Sequence, residues 1–280
     1  MAFADIGKAY KDVSSGFVYD HKAAWSTKTG FGALSGSATY VVKDGSVPVE
    51  AKGTYKLGSA SSLEASVTDK GKVTAVLVKD DLAKGLKAKL TAVLAGGSND
   101  ASLALGYSWA TAPLVGGKLG ATCDLGLSGA KAGKLVGSAG WAQGSLTLGG
   151  EAEYDNSKGA VSKYTLGAQA SLSNGGTAAA LLVDKAQTLR VSYVHKCSAT
   201  VNGGLEATHS LKTGDTSVAM GSSFKMASAS AKAHVTQKGI VSLLYTRDVQ
   251  PNKATATLCL QVDAFNPTAA PKVGVQLAIK

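Results

Sequence analysis

The segment Leu86–Ala95 reads LKAKLTAVLA and carries an apolar residue at every even-numbered position. Lys87, Lys89 and Thr91 stand at the odd-numbered positions between them. Successive side chains of a β-strand point to opposite faces, so a period of two separates an apolar face from a polar one. The segment therefore predicts a strand with one apolar face and one face in water.

The same pattern recurs along nearly the whole chain from residue 22 onward. Segments of about ten residues alternate in this way and end at Gly, Asn, Asp or Ser, as strands and turns do. We count roughly nineteen of them, and their short connections are typical of neighbouring antiparallel strands in an up-and-down order. Two stretches, 177–184 and 240–248, alternate poorly, and the pattern leaves their faces unassigned.

Two architectures satisfy so many alternating strands. In a transmembrane β-barrel the apolar faces meet lipid and the polar faces line a water-filled lumen. In the alternative, a soluble or surface all-β structural or interaction protein, the apolar faces form the core. A closed sheet of nearly twenty strands encloses more space than side chains can fill, so its interior must be polar. The chain also has 34 Gly and only 6% aromatic residues, which make a meagre core. We therefore favour the membrane barrel.

The first 17 residues differ from everything that follows. Their apolar residues recur every three or four positions, which predicts one amphipathic helix over residues 1–17 that docks on the strands. Lys8 and Lys11 lie on the polar face of this helix. The apolar residues that we expect to dock it are Phe3, Ile6, Tyr10, Val13 and Phe17.

The chain is basic, with a formal net charge of +10. Its lysines are scattered singly, which disfavours nucleic acid as a primary partner. By strand parity the polar faces hold more cations than carboxylates, and a cationic lumen concentrates small anions. The strand cations that we predict in the lumen are Lys52, Lys56, Lys87, Lys89, Lys163, Arg190, Lys225 and Lys232. The carboxylates predicted there are Glu50, Asp124, Glu151, Glu153 and Glu206, and we place Glu64 there as well.

Enzyme chemistry has no support in the sequence. None of the four His has a nucleophile or a paired carboxylate in register, and the Gly-rich stretches lack the strand-to-helix setting of a phosphate loop. The three Cys, at positions 123, 197 and 259, are far apart in the sequence. We interpret them as reduced residues with a structural role. We therefore expect no catalytic site, no metal and no cofactor.

Both ends of the chain resemble a known family. KVGVQLAIK at 272–280 resembles the insertion signal of mitochondrial outer-membrane barrels, through Lys272, Gly274, Leu277 and Ile279. FADIGKAYKD at 3–12 resembles the N-terminal helix of the voltage-dependent anion channel family, the mitochondrial porins. DLAKGLK at 81–87 is similar to a GLK-containing segment of that family. The plant or algal branch is the more similar one.

The resemblance implies an all-β fold with nineteen strands, antiparallel except for one parallel closure between the first and last strands. Residues 1–20 would form a helix and a hinge at Gly16 inside the pore, and residues 21–280 a single barrel domain. The implied function is a voltage-gated, weakly anion-selective channel of the mitochondrial outer membrane that passes small ions and metabolites such as ATP and ADP. Lys8, Lys11 and the strand cations would contact anions and nucleotides. Implied partners are membrane lipid, these permeants, the mitochondrial barrel-assembly machinery and, as an option, further copies of the chain.

Overall fold

The computed structural model describes residues 3–30, 32–83, 86–95, 98–107, 118–128, 131–250 and 254–279. Within these residues the chain forms one 3₁₀ turn, one α-helix and nineteen strands. Lys84, Gly85 and Lys280, which belong to the motifs quoted above, lie outside the described residues. No helix in the described ranges is long and apolar enough to cross a membrane.

The bounds of these elements follow the predicted segments closely. The 3₁₀ turn is Phe3–Asp5, and helix α1 is Lys8–Ser14. The strands are β1 His21–Thr29, β2 Gly32–Tyr40, β3 Val49–Lys56, β4 Ser61–Thr68, β5 Val73–Ala83, β6 Leu86–Ala95, β7 Ser98–Tyr107, β8 Lys118–Ser128, β9 Lys131–Gln143, β10 Leu146–Asp155, β11 Ala160–Ser171, β12 Gly176–Val183, β13 Thr188–Lys196, β14 Val201–Ser210, β15 Thr216–Lys225, β16 Ala229–Thr236, β17 Ile240–Gln250, β18 Ala254–Asp263 and β19 Lys272–Ile279.

Neighbouring strands pair in sequence order and close into a barrel. Antiparallel ladders join β1 through β7 and β8 through β19, and β7 lies alongside β8. The ring closes where β1 pairs with β19 in parallel, from Lys22 opposite Gln276 to Trp25 opposite Ile279. An odd number of strands requires one such parallel pair in a closed up-and-down sheet. The nineteen-strand all-β barrel with its parallel closure is confirmed.

The apolar strand faces point outward. Leu90 on β6, Leu148 on β10 and Val191 on β13 are 41–45% exposed, and similar side chains recur on most strands. Among the described residues, the buried apolar side chains are few and gather mainly where the first residues of the chain meet the inner wall. The outer faces are therefore an apolar belt, and the alternative in which they form the core is wrong.

The predicted helix over residues 1–17 is too long. The structure has the 3₁₀ turn at Phe3–Asp5, a break at Gly7 and then α1, which ends at Ser14. Gly7 adopts a left-handed φ of +75°, which costs glycine little, and its N–H donates to Gln169 Oε1 at 3.0 Å on the wall. Ser15 is extended, so Phe17 lies beyond the helix, where its ring contacts His234. The apolar stripe survives because each part of the broken helix keeps its buried side toward the wall.

We call residues 3–19 the N-terminal segment. It runs along the inner wall, from β9 and β10 at the 3₁₀ turn, past β13–β16 at α1, to β17 and β19 at Tyr19. We call strands β9–β19 the helix wall and strands β2–β7 the far wall.

Candidate functional site

The position of the N-terminal segment identifies the lumen face of every strand. Val194, Gly204 and Gly221 lie under α1, and they stand opposite one another in the ladders of β13, β14 and β15. Residues directly opposite one another across a ladder share a face, so the register carries the lumen face from strand to strand around the barrel. The even-numbered positions of β1, β3, β4 and β5 and the odd-numbered positions of β2 and β6 belong to it.

This register determines where each predicted lumen residue lies. Positions on the lumen face are held by Lys52, Lys56, Lys87, Lys89, Lys163, Arg190, Lys225 and Lys232 among the cations, and by Glu50, Glu64, Asp124, Glu151, Glu153 and Glu206 among the carboxylates. Lys8 and Lys11 are exposed on α1. Contact of these cations with permeating anions stays a prediction.

Several lumen cations are partly neutralised. Lys52 Nζ lies 2.7 Å from Glu64 Oε2. Arg190 Nε lies 3.9 Å from Glu206 Oε1, and Lys163 Nζ lies 3.9 Å from Asp184. In the described part of the chain, Lys56, Lys89 and Lys225 take part in no ion pair within 4.0 Å. The lumen therefore combines paired charges with cations that are free to meet a solute.

Four residues of the apolar stripe anchor the N-terminal segment. Phe3, Ile6, Tyr10 and Val13 are only 2–8% exposed. Phe3 and Ile6 pack with Ala179 and Leu181 of β12, whereas Tyr10 and Val13 pack with Val194 of β13. Phe17, the fifth residue of the predicted stripe, is only partly buried.

Glycines on the helix wall let the segment approach the backbone closely. A Cβ built at Gly149 would lie 3.0 Å from Phe3, and one at Gly167 would lie 3.1 Å from Ile6. At Gly204 it would lie 3.1 Å from both Tyr10 and Val13, and at Gly221 3.2 Å from the carbonyl oxygen of Val13. We call Gly149, Gly167, Gly204 and Gly221 the glycine seam. Sequence reasoning missed it, although glycine at successive lumen positions of neighbouring strands is a usable signal.

The two strands that alternate poorly also belong to this contact. On β12, Ala179 and Leu181 face the lumen and pack against the segment, while their neighbours face outward. On β17, Leu244 faces the lumen near Gly16. Both faces of these strands carry apolar residues because one face meets lipid and the other meets the segment.

The segment leaves the helix at a second glycine-dependent stretch. Gly16, the predicted hinge, has a left-handed φ of +102°. A Cβ at Gly274 would strike the carbonyl oxygen of Val18 and the Cα of Tyr19, and the Tyr19 hydroxyl donates to Ser242 Oγ at 2.9 Å. Cys259 stands beside Gly274 in the ladder and is fully buried. Gly274 therefore has a docking role besides its place in the predicted insertion signal.

The Tyr10 hydroxyl adds little to the apolar docking of its ring. Burial, reinforced by the nearby Glu206 carboxylate, raises the pKa of the Tyr10 hydroxyl to about 12, so this group stays neutral at physiological pH. In the described structure the hydroxyl is buried without a direct hydrogen-bond partner. The apolar ring therefore contributes more to docking than the hydroxyl does.

At the end of α1, Lys232 Nζ donates to the carbonyl oxygen of Ser15 at 3.0 Å. A cation is favourable at the C-terminal end of a helix, where carbonyl groups lack partners. Lys232 thus joins the segment to β16 in addition to holding a lumen position.

A barrel with an apolar belt, a charged lumen and an internal N-terminal segment has the geometry of a membrane pore. Residues 1–274 match the model of the eukaryotic porin family. The chain belongs to the eukaryotic porin family. As members of this family are channels, the protein is a β-barrel channel of an outer membrane, and the family resemblance seen in its two ends is confirmed.

Porins of plants and a yeast are similar over most of the chain. Mitochondrial outer membrane protein porin 4 of Arabidopsis thaliana is 28% identical, across 99% of this chain and 97% of the relative. Mitochondrial outer membrane protein porin 2 of Oryza sativa is 26% identical, across 99% of this chain and 95% of the relative. The mitochondrial outer membrane porin of Candida albicans is 26% identical across 89% and 88%. The location is therefore the mitochondrial outer membrane. A solved mutant porin of Rh. blastica covers 91% of this chain with a TM-score of 0.43 and 10% identity.

Proposed function

We propose that the protein is a weakly anion-selective, voltage-gated pore through which small ions and metabolites such as ATP and ADP diffuse. The observation that carries this proposal is the charge of the lumen face. Lys56, Lys89 and Lys225 face the lumen outside any described ion pair, whereas Glu64 and Glu206 are each close to a cation. The excess positive charge agrees with the net charge of +10 for the whole chain.

The expected selectivity is weak because the lumen is wide and wet. An exposed ion pair in water contributes about 0–1 kcal/mol, so one lysine holds an anion only briefly. Many such contacts raise the concentration of chloride and of phosphate groups in the lumen without trapping them. A permeant that bound tightly would block the pore.

We propose that the gating charge lies on the barrel wall. A membrane voltage does about 2.3 kcal/mol of work per elementary charge per 100 mV. The N-terminal segment contains two lysines and two aspartates, Lys8, Lys11, Asp5 and Asp12, so that its displacement alone moves no net side-chain charge. The lumen lysines of the strands supply the charge on which the voltage acts.

The remaining roles concern the membrane and assembly. The outward apolar belt contacts lipid. We propose that Lys272, Gly274, Leu277 and Ile279 form the insertion signal read by the mitochondrial barrel-assembly machinery, and that copies of the barrel associate through their outer faces.

The experiment is a reversal-potential measurement on single channels in a planar bilayer with a salt gradient. We expect the wild-type reversal potential to have the sign of a pore that prefers chloride. The double variant Lys56→Glu with Lys89→Glu should shift this potential to zero or to the sign of a pore that prefers cations. The matched control is Lys43→Glu with Lys70→Glu, which makes the same charge change in exposed loops between strands and should shift it much less. A wild-type pore that prefers cations, or equal shifts in both variants, would contradict the proposal.

A further inference from the structure

A groove lies on the outer face of β15–β18, within the apolar belt. Its volume is about 380 Å³, which is within the range of about 300–1,000 Å³ found for pockets that hold small ligands. The lumen positions of β16 and β17 are even-numbered, as at Lys232 and Leu244, so the odd-numbered side chains that line the groove on these strands point to lipid. The groove is therefore a feature of the lipid-facing surface and not of the pore.

The groove has a floor of small residues between larger side chains. Ala231 and Ala233 of β16 form the floor. Phe224 of β15 stands opposite Ala231 on one side, and Tyr245 and Leu243 of β17 stand opposite the two alanines on the other. Neighbouring strands are about 4.8 Å apart, so the backbones of β15 and β17 are roughly 10 Å apart. Between the side chains on these two strands, the alanines leave a furrow with room for one extended hydrocarbon chain along β16.

A cation stands beyond one end of this furrow. Arg247 lies on the outer face of β17, two residues after Tyr245 and close to the end of the strand. Its side chain is exposed, and its neighbours across the two ladders are Ala229 and Ala256. Because both neighbours are small, the guanidinium group has room for a ligand at its side.

The structure gives Arg247 no carboxylate partner among the described residues. The ion pairs formed by those residues do not include it. The adjacent Asp248 lies on the lumen side, where its carboxylate accepts a hydrogen bond from the Thr255 hydroxyl at 3.0 Å. Arg190, the other arginine of the chain, lies near the Glu206 carboxylate in the lumen. Arg247 thus presents a positive charge to the membrane side of the barrel.

The position of this arginine matches the level of the lipid headgroups. An arginine on the lipid face of a barrel is costly at the bilayer midplane and nearly neutral close to the interface. Tyr245, the next outward residue toward the midplane, has the amphipathic ring that is enriched just below the headgroups. Four residues separate Arg247 from Leu243, so charge and furrow together extend over about 13 Å. A positive group followed by an apolar furrow complements a phosphate group followed by an acyl chain.

We propose that this groove is a binding site for one phospholipid of the surrounding membrane. The Arg247 guanidinium holds the lipid phosphate through two parallel hydrogen bonds, as its fork geometry allows. One acyl chain lies along Ala231 and Ala233 between Phe224 and Leu243. The inference goes beyond the proposed function, because it concerns the lipid-facing surface and not the passage of solutes through the lumen.

The test titrates the full-length barrel in detergent micelles with dioleoyl-phosphatidylglycerol and counts retained lipid by native mass spectrometry. Arg247→Gln removes the phosphate partner, and Ala233→Leu fills the furrow with a side chain that points into detergent. The matched controls lie on the outer face of β5 in the far wall: Lys79→Gln removes an outward cation, and Ala75→Leu adds the same apolar side chain. Circular dichroism first establishes that every variant keeps its β-structure.

We expect the dissociation constant of the lipid to rise about tenfold in Arg247→Gln, because two charge-assisted hydrogen bonds are lost. Arg247→Lys should fall between this variant and the wild type, since an ammonium group keeps the charge and loses the fork. Ala233→Leu should raise the constant about threefold or more. Both controls should change it by about twofold or less.

Two further probes separate the parts of the ligand. Dioleoylglycerol, which has the same chains without a phosphate group, should bind the wild-type barrel about tenfold more weakly. Glycerol phosphate, which has no chains, should not displace the phospholipid at equal concentration. Displacement by glycerol phosphate would show that the phosphate alone is recognised and would contradict the role of the furrow.

Equal affinities in Arg247→Gln and Lys79→Gln, or in Ala233→Leu and Ala75→Leu, would overturn the site. A wild-type barrel that forms dimers without the lipid, and that Ala233→Leu converts to monomers, would assign the groove to contact between copies of the chain and would also overturn it. The arginine and the furrow are tested by separate pairs of variants, so the failure of one variant to fold leaves the other pair decisive.

Discussion

The helix wall and the far wall present the same lumen face of one barrel, yet their residues differ. Lumen positions of the far wall are mainly Ser, Thr, Lys and Glu, as at Ser35, Thr54 and Ser66. The exceptions include Ala33, Val76, Val78 and Val93. Lumen positions under the N-terminal segment are mainly glycine or apolar, as at Gly204 and Leu181, with polar contacts at Gln169, Lys232 and Ser242. A lumen face is polar where it meets water, and it resembles a protein core where a segment covers it.

The largest expected effect tests the closest approach between segment and wall. Gly274→Ala places a Cβ against the backbone of Val18, so residues 16–19 must shift. We expect Cys259, which is fully buried, to react with a thiol reagent about tenfold faster or more in the refolded barrel, because local opening controls its access. The exposed Cys197 is the internal reference.

The far wall supplies the control for this substitution. A Cβ at Gly53 would meet only Leu34, at an ordinary 3.8 Å. Gly53→Ala should leave the labelling of Cys259 unchanged. Equal labelling rates in Gly274→Ala and the wild type would show that Val18 does not lie on the wall as described.

The second comparison removes apolar contact from each wall. Ile6→Ala deletes a nearly buried side chain and should weaken docking by about 2–4 kcal/mol. We expect trypsin to cut after Lys8 and Lys11 much faster, because the enzyme reaches these sites only when the segment leaves the lumen. Val76→Ala, at a lumen position of the far wall, should not alter the cleavage rate. Comparable cleavage rates in both variants would show that the segment does not dock on the helix wall in preference to the far wall.

A smaller effect is expected for the bond between Lys232 and the end of α1. Lys232→Gln weakens a favourable contact with a helix C-terminus, which contributes about 0.3–1 kcal/mol. The same trypsin assay should show roughly a twofold to fivefold increase. Lys89→Gln is the matched loss of charge on the far wall and should show no increase. An unchanged rate in Lys232→Gln would show that this bond contributes nothing to docking.

The smallest effect is expected at the Tyr10 hydroxyl. Tyr10→Phe removes a buried hydroxyl without a direct partner and keeps the ring, so docking should change by less than about 0.5 kcal/mol or become slightly stronger. A cleavage rate that rises as far as in Ile6→Ala would mean that the hydroxyl holds the segment in place.

Strands and faces could be predicted from the sequence wherever water and lipid lie on opposite sides. Leu86–Ala95 is such a strand, and the register places Lys87 and Lys89 on the predicted face. The faces of β12 and β17 could not be assigned, because Ala179, Leu181 and Leu244 meet the N-terminal segment instead of water. The alternation of polar and apolar residues indicates whether water or lipid lies on each side of a strand. Where a docked segment covers one side, the alternation no longer shows which side faces the lumen.

The break in the N-terminal helix had a different cause. Phe3, Ile6, Tyr10 and Val13 keep a spacing of three and four residues through the 3₁₀ turn and α1 alike, so the pattern does not distinguish a broken helix from a continuous one. Gly7 was the visible signal, since glycine interrupts helices readily. Its bond to Gln169, 162 residues away, is a tertiary contact that no local pattern contains.

The central claim is that the N-terminal segment lies inside the lumen against the glycine seam. Oxidative cross-linking in a barrel without its native cysteines tests it directly. Val13 and Gly204 are close enough for a disulfide, because a Cβ at Gly204 lies 3.1 Å from Val13 Cγ2. Val13→Cys with Gly204→Cys should cross-link rapidly, whereas Val13→Cys with Ser66→Cys, on the lumen face of the far wall, should not. Equal cross-linking in both pairs, or none in the first, would contradict the account.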